Sequence, residues 1–230
     1  MIFHPRKWLE PHLLEAMDSV RFELVAWKGR LFSPKRLDTL GKEYLQLGCY
    51  ETLLKGFFNT DFYFNKKADA GLDVRFSLPF ENDAWRGIYA HHVVEHLAYT
   101  DTFKLFQECH RTLKSGGVFR MVVPDLATFV RFYSALEPAE RSKIFELYPD
   151  HIMETLKVRT PLEMLDYIFR DNQFNRHLSA WDWETAELRL RDAGFSKVVR
   201  QSVNVSLDPI LAGHDKPHWS QFSLYVEAVK

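Results

Sequence analysis

The sequence predicts an α/β fold built on a mainly parallel sheet, and three observations carry that expectation. Apolar runs ending in small or polar residues recur along the chain: Tyr44-Leu-Gln-Leu-Gly48, Phe57-Phe-Asn-Thr-Asp61, Trp85-Arg-Gly-Ile-Tyr-Ala90 and Val118-Phe-Arg-Met-Val-Val123. Between the last two lies a stretch from Thr102 to Leu113 with Phe103, Leu105, Phe106, Cys109 and Leu113 at helical spacing. A Lys114-Ser-Gly-Gly117 turn then supplies the cation and the glycines that end helices. Strand, helix and strand in that order make a βαβ unit, which implies a parallel sheet covered on both faces. Ligands bind such sheets at the carboxyl ends of the strands. That edge is crowded here by His91-His92-Val-Val-Glu95-His96 and by Pro124-Asp125.

The remaining elements follow in order. Residues 1–41 form a helical amino-terminal segment. Pro11 suits a first helical turn, Leu13, Leu14, Met17, Val20, Leu24 and Trp27 fall near helical spacing, and Gly29 suits the end. This segment is expected to cover the sheet, to form a lid or to make a homodimer contact. Residues 42–230 form the main domain. Only Cys49 to Gly56 separate the first two strands, so a connecting helix there spans at most Glu51 to Lys55. Gly71–Arg75 is a third strand, and Leu78–Asp83 a turn. Helices at about 125–136, 138–147 and 161–170, punctuated by Pro138, Pro149 and Pro161, make a cap inserted at about 125–180. A helix from Trp183 to Ala193 ends at Gly194, and strands at Phe195–Val203 and Ser223–Lys230 close the chain. No helix separates those last two strands, so they are expected to pair antiparallel.

Composition narrows the function classes. Apolar residues make up 46% of the 230 residues and aromatic residues 15%, as in a chain with a full core. A net charge of −1 gives no electrostatic footprint for nucleic acid. Cys49 and Cys109 lack metal-ligand spacing and read as free thiols of a reducing compartment. No apolar run reaches membrane-spanning length and the amino terminus lacks a signal pattern, so a cytoplasmic protein is expected.

Seven short motifs in order resemble the class I S-adenosylmethionine-dependent methyltransferases, closest to a small bacterial subgroup. They are Leu45-Gln-Leu-Gly48, Phe57-Phe-Asn-Thr-Asp61, Asp73-Val-Arg75, Leu78-Pro-Phe80, His92-Val-Val-Glu-His-Leu97, Leu113-Lys-Ser-Gly-Gly117 and Val123-Pro-Asp125. Ala193-Gly-Phe195 matches the usual turn into the sixth strand, and the resemblance spans residues 36–230. It implies a Rossmann-like methyltransferase fold, a seven-stranded sheet with an antiparallel last strand, and S-adenosylmethionine as cofactor. It also implies that Gly48 lets the backbone approach the methionine part, where a Cβ would clash. Asp61 would accept from the ribose hydroxyls and Asp73 from the adenine amino group, with Val74 against the ring. His91 would face the methionine moiety and His92 the substrate. No metal ligand is implied. The sequence departs from the family at Gly48-Cys49-Tyr50, where the family has Gly-x-Gly, so the Tyr50 ring is expected either in the methionine pocket or swung out.

Methyl transfer from a sulfonium is an in-line displacement in which alignment dominates. A hydroxyl acceptor must also lose a proton, a task suited to neutral histidine. His92, His96, His177 and Asp125 are the candidate catalytic groups. The acceptor implied is an oxygen or nitrogen of a small molecule or, by analogy, a glycan, with Tyr133, Trp181, Trp183 and Trp219 as stacking or core residues. The substitution at Tyr50 supports a different class, a methyltransferase-like binding or scaffold module with a degenerate cofactor site. A third reading takes His92-Val-Val-Glu-His96 as the HxxEH motif of zinc hydrolases, which requires both histidines on one helix face.

Overall fold

The computed structural model describes residues 17, 20–21, 23–24, 37–62, 67–147, 157–170 and 177–230. Seven strands form one sheet: β1 (Tyr44–Leu47), β2 (Phe57–Asp61), β3 (Ala70–Gly71), β4 (Trp85–His91), β5 (Leu113–Pro124), β6 (Lys197–Gln201) and β7 (Ser223–Val229). Their order is β3-β2-β1-β4-β5-β7-β6. The first five run parallel, and β7 pairs antiparallel with both β5 and β6. This is the mixed sheet the sequence predicts, with β7 inserted between β5 and β6.

The topology chooses the binding edge. From β1 the chain moves outward to β2 and β3, then returns to β4 on the other flank of β1. The β1/β4 pair is therefore the switch point, where connections leave in opposite directions and open a crevice. Leu47 lies opposite Ala90, so Gly48 and His91 leave the sheet side by side.

Among the described residues the sheet is accompanied by the α-helices α1 (Tyr99–Thr112), α2 (Leu126–Tyr133), α3 (Pro138–Ser142), α4 (Pro161–Arg170) and α5 (Trp183–Asp192). Side chains alternate along each strand, so each face recruits its own partners. Leu45, Ile88, Phe119, Met121 and Val226 pack with Leu105, Phe106 and Cys109 of α1 and with Ala186 and Leu190 of α5. The opposite face carries Tyr44, Phe57, Tyr89 and Val118, covered by Leu54 and Leu211. Phe129, Phe132, Ile144, Met164, Leu165 and Ile168 make a separate core for the cap, joined by Phe222. Trp181 is fully buried against Phe106, and Tyr133 packs on the cap core, so these aromatic residues serve packing.

One buried ionic network holds the second face. Arg120, in the middle of β5, is wholly buried with Asp215 and Glu227. Its Nη1 donates to Glu227 Oε1 at 2.9 Å and to the Val205 carbonyl at 2.7 Å. Asp215 accepts from Asn204 N at 2.6 Å and Tyr89 Oη at 3.1 Å, while Glu227 accepts from Leu207 N at 2.7 Å and Gln201 Nε2 at 3.0 Å. Two carboxylates thus share one guanidinium, and neutral donors take up the remaining lone pairs. The network fastens the 202–215 loop across β5 and β7.

Several elements differ from expectation, each for a local reason. No helix forms between β1 and β2. Thr52 N closes a turn on Cys49 O, and the side-chain amides of Gln46 and Asn59 bond the Thr52 carbonyl and both backbone groups of Leu54. Side chains thus satisfy backbone groups that a helix would pair. β3 stops at Gly71, because Asp73 Oδ1 accepts from Arg75 N at 3.1 Å and folds the chain into a turn. Glu95 and His96 lie in a single 3₁₀ turn, Val94–His96, ahead of α1. β5 begins at Leu113, directly after α1, and the 138–147 helix breaks into α3 and a 3₁₀ turn, Lys143–Leu147. In the amino-terminal segment Met17, Val20 and Leu24 are exposed. Leu13, Leu14 and Trp27 lie outside the described residues.

Candidate functional site at the β1/β4 edge

Gly48 ends β1 with a φ of +65°. A Cβ there would lie 2.4 Å from Val93 Cγ2, so this glycine admits the Val93 side chain against the end of β1. Tyr50 has a φ of +45° and is 71% exposed, so its ring is swung out and does not fill the crevice. Its backbone N–H donates to Asp61 Oδ2 at 2.6 Å, which pins the loop after β1 to the end of β2. Asp61 itself is buried.

At the end of β3, Asp73 is committed to Arg75. Nε and Nη2 of Arg75 each reach it at 2.9 Å, and Nη1 reaches Glu23 of the amino-terminal segment at 2.8 Å. The two carboxylates raise the Arg75 pKa further, with the Asp73 hydrogen bond first among the causes. Val74 packs against the main core. The bidentate clamp and the Arg75 backbone N–H take three of the four acceptor positions of Asp73, so an adenine amino group would have to share Oδ2 with Arg75.

β4 delivers the histidines. Burial, then the neighbouring His92 and Lys216, push the His91 pKa down to about 3, which leaves it neutral. Its Nε2 is buried and has no hydrogen-bond partner among the described residues. Trp219 covers both rings, at 5.4 Å from His91 and 4.5 Å from His92 between centroids.

His92 takes a φ of +53°, which turns the chain sharply off β4. The turn places its ring between two partners: Nδ1 lies 3.1 Å from Glu95 Oε1, and Nε2 lies 3.0 Å from Ser223 Oγ. Glu95 is fully buried, and neither of its carboxylate oxygens accepts an aligned hydrogen bond among the described residues. Burial acts to raise its pKa, but His92, His96 and His177 overcome that and lower it to about 2. The His96 and His177 rings stand edge to face, 5.0 Å apart. Because His92 precedes a 3₁₀ turn, His92 and His96 do not share a helix face, which removes the arrangement the HxxEH reading requires.

Asp125, at the end of β5, is engaged twice. Oδ1 caps α2 through Ala127 N at 3.2 Å, and Oδ2 accepts from Arg200 Nη2 at 2.9 Å. Burial raises its pKa and Arg200 opposes the rise. Ser223 and Arg200 are site neighbours that the sequence alone did not mark. A polar cleft of about 370 Å³ lies beside them, lined by Arg200, Gln201, Ser202, Ser220, Ser223 and Tyr225.

Residues 65–121 match the model of a family described as a methyltransferase domain. The match begins beyond β2 and covers β3, β4, α1 and most of β5. No curated protein matches the chain in sequence. Among solved structures, a SAM-dependent methyltransferase from Archaeoglobus fulgidus is 17% identical, with 96% of this chain and 100% of that chain covered and a TM-score of 0.46. One from Thermotoga maritima is 13% identical over 95% and 99%, with a TM-score of 0.49. One from Mesorhizobium loti is 16% identical over 84% and 94%, with a TM-score of 0.47.

Proposed function

We propose that this chain, of which residues 65–121 match a methyltransferase-domain family, is a class I S-adenosylmethionine-dependent methyltransferase that transfers the cofactor's methyl group to an oxygen or nitrogen of a polar small molecule or glycan. The cofactor supplies an electrophilic methyl group on a sulfonium. The residues of the β1/β4 edge suit it: Asp61 closes β2, the Tyr50 ring stands outside the crevice, and the buried His91 Nε2 has no hydrogen-bond partner among the described residues. In this reading Asp61 accepts from the ribose and His91 faces the methionine moiety. The exposed position of Tyr50 favours a cofactor-binding enzyme over a scaffold with a filled site.

The observation that carries the acceptor side is the placement of His92 between Glu95 and Ser223. A carboxylate can only accept, so a hydrogen on Nδ1 faces Glu95 and Nε2 keeps its lone pair. Ser223 lines the polar cleft, so in this reading an acceptor hydroxyl bound there passes its proton through the Ser223 hydroxyl to Nε2 as it attacks, and an ammonium gives up a proton by the same route before its nitrogen attacks. Hydroxyl, amide and guanidinium groups line the cleft, which suits a hydroxyl- or amine-bearing acceptor. Arg200 adds a charge for an acceptor that carries an anionic group. His96, His177 and Asp125 stand apart from this step: the first two face Glu95, and the third caps α2. Two buried free thiols, Cys49 and Cys109, suit a reducing compartment such as the cytoplasm.

Isothermal titration with S-adenosylhomocysteine tests the cofactor half. Micromolar or tighter one-site binding is expected, and its absence overturns the enzyme reading in favour of a binding module. Radiolabelled methyl transfer to panels of hydroxyl- and amine-bearing acceptors tests the other half.

A further inference from the structure

The geometry points to a divalent-metal site of the zinc class formed by Glu95, His96 and His177, next to the acceptor side and outside the cofactor crevice. One ligand atom from each of the three residues lies within 4.8 Å of the others. Two imidazoles with one carboxylate are the donor set of three-ligand zinc sites, which leave a fourth position open. Nitrogen donors also select zinc, cobalt or nickel over magnesium or calcium.

Three independent features distinguish this set from a chance cluster. Glu95 is 1% exposed; its Oε1 has the His92 ring 3.1 Å away, and its buried Oε2 has no hydrogen-bond donor among the described residues. A buried carboxylate oxygen without a donor is costly, and a cation is what would satisfy it. Next, His177 Nδ1 lies 2.7 Å from the Ile168 carbonyl oxygen. A carbonyl only accepts, so Nδ1 carries the hydrogen and Nε2 presents a lone pair. Metal-binding histidines are held in this way, with the second ring nitrogen donating to a carbonyl. Finally, a cavity large enough for one water-sized occupant is lined by Glu95, His177, Ser179 and Trp181. It gives a fourth ligand room.

The backbone already brings the ligands together. Leu178 N and Ser179 N both donate to the Glu95 carbonyl, at 2.7 and 3.1 Å, so the residue after His177 is docked on the turn that holds Glu95 and His96. Bonds of ~2.0–2.2 Å to zinc place tetrahedral ligands roughly 3.4 Å apart, so rotation of the side chains closes the site without moving the backbone. The ion fastens the His177 segment to the end of β4. Glu95 Oε1 stays with His92, and Oε2 faces the metal.

The test uses the full chain, freed of metal with a chelator and titrated with Co²⁺. The expected result is a visible d–d absorption that saturates at one equivalent, is displaced by Zn²⁺ and accompanies a rise in Tm. His177→Ala and Glu95→Gln should each weaken Co²⁺ binding at least tenfold, and His110→Ala, away from the cluster, should leave it unchanged. If Glu95→Gln fails to fold, His96→Ala, whose ring is partly exposed, decides in its place. Absence of the band and of the Tm shift in the unaltered chain overturns the site and leaves a single water in the cavity. A band that survives His177→Ala and His96→Ala overturns the assignment of ligands. The site lies on the acceptor side of the proposed methyltransferase, and S-adenosylhomocysteine binding is scored separately, so failure of the metal site and failure of the methyltransferase reading are distinguishable.

Discussion

The imidazole Nδ1 of His92 lies 3.1 Å from Glu95 Oε1. Three residues along a chain that has just left a strand, the carboxylate holds the ring of the candidate general base, and Ser223 meets the other nitrogen. In the proposed reaction this ring acts on the acceptor and touches the cofactor little. His92→Gln is therefore expected to lower kcat by about 10²–10⁴ while leaving the Kd for S-adenosylhomocysteine within about threefold. Equal losses in both would place His92 in cofactor binding.

Asp61 performs two tasks in this reading, anchoring the Tyr50 amide and facing the ribose. Asp61→Asn keeps the shape but loses an acceptor, and S-adenosylhomocysteine affinity is expected to fall at least tenfold by calorimetry. Asp73→Asn is expected to change that affinity much less, because both Asp73 oxygens are already held by Arg75. An adenine contact through Asp73 would reverse that ranking.

Gly48→Ala sets a Cβ 2.4 Å from Val93 Cγ2 at a φ of +65°. Overlap and left-handed strain together should destabilise the fold by about 2–4 kcal/mol, read from urea unfolding. Adding Val93→Ala removes the overlap and leaves the backbone strain, so the double variant should recover part of the loss. No recovery would locate the requirement for glycine in the backbone alone.

His91 gives the stability a defined pH dependence. Burial lowers its folded pKa to about 3, against an ordinary value of 6.5, with His92 and Lys216 acting in the same direction and Asp215 and Glu95 opposing them. The unfolded chain takes up the proton first, so stability is full above about pH 6.5 and declines as pH falls toward the folded value. The slope from this residue approaches 1.4 kcal/mol per pH unit. His91→Phe should flatten the decline between pH 6.5 and 4.5, measured by urea unfolding across that range. An unchanged slope would mean that His91 protonates readily in the fold.

Arg120 is the one cation in a fully buried network with Asp215 and Glu227. Arg120→Leu strands two carboxylates and is expected to cost about 3–5 kcal/mol. Adding Asp215→Asn and Glu227→Gln should restore much of that loss. A small effect of the single variant would show water entering beneath the 202–215 loop.

What the sequence determined by itself was whatever short-range patterns encode. Apolar runs ending in Gly48, Asp61 and Ala90 marked β1, β2 and β4, because strands buried on both faces read as continuous apolar stretches, and the Thr102–Leu113 periodicity marked α1, whose one buried face repeats at the helical period. The binding edge followed from the βαβ order. The His92–Glu95 contact was within reach of inspection because the two residues lie on one turn. β3 and the β1–β2 connection were misjudged, because side-chain hydrogen bonds from Asp73, Gln46 and Asn59 compete locally with regular structure.

Tertiary structure decided the partners. Inserting β7 between β5 and β6 brings Ser223 to His92 across 131 residues, and the return of the chain after the cap brings Arg200 to Asp125 across 75. The same return sets His177 beside Glu95 and His96. No local pattern encodes those approaches, because they depend on where the sheet order and the packed cores carry distant segments.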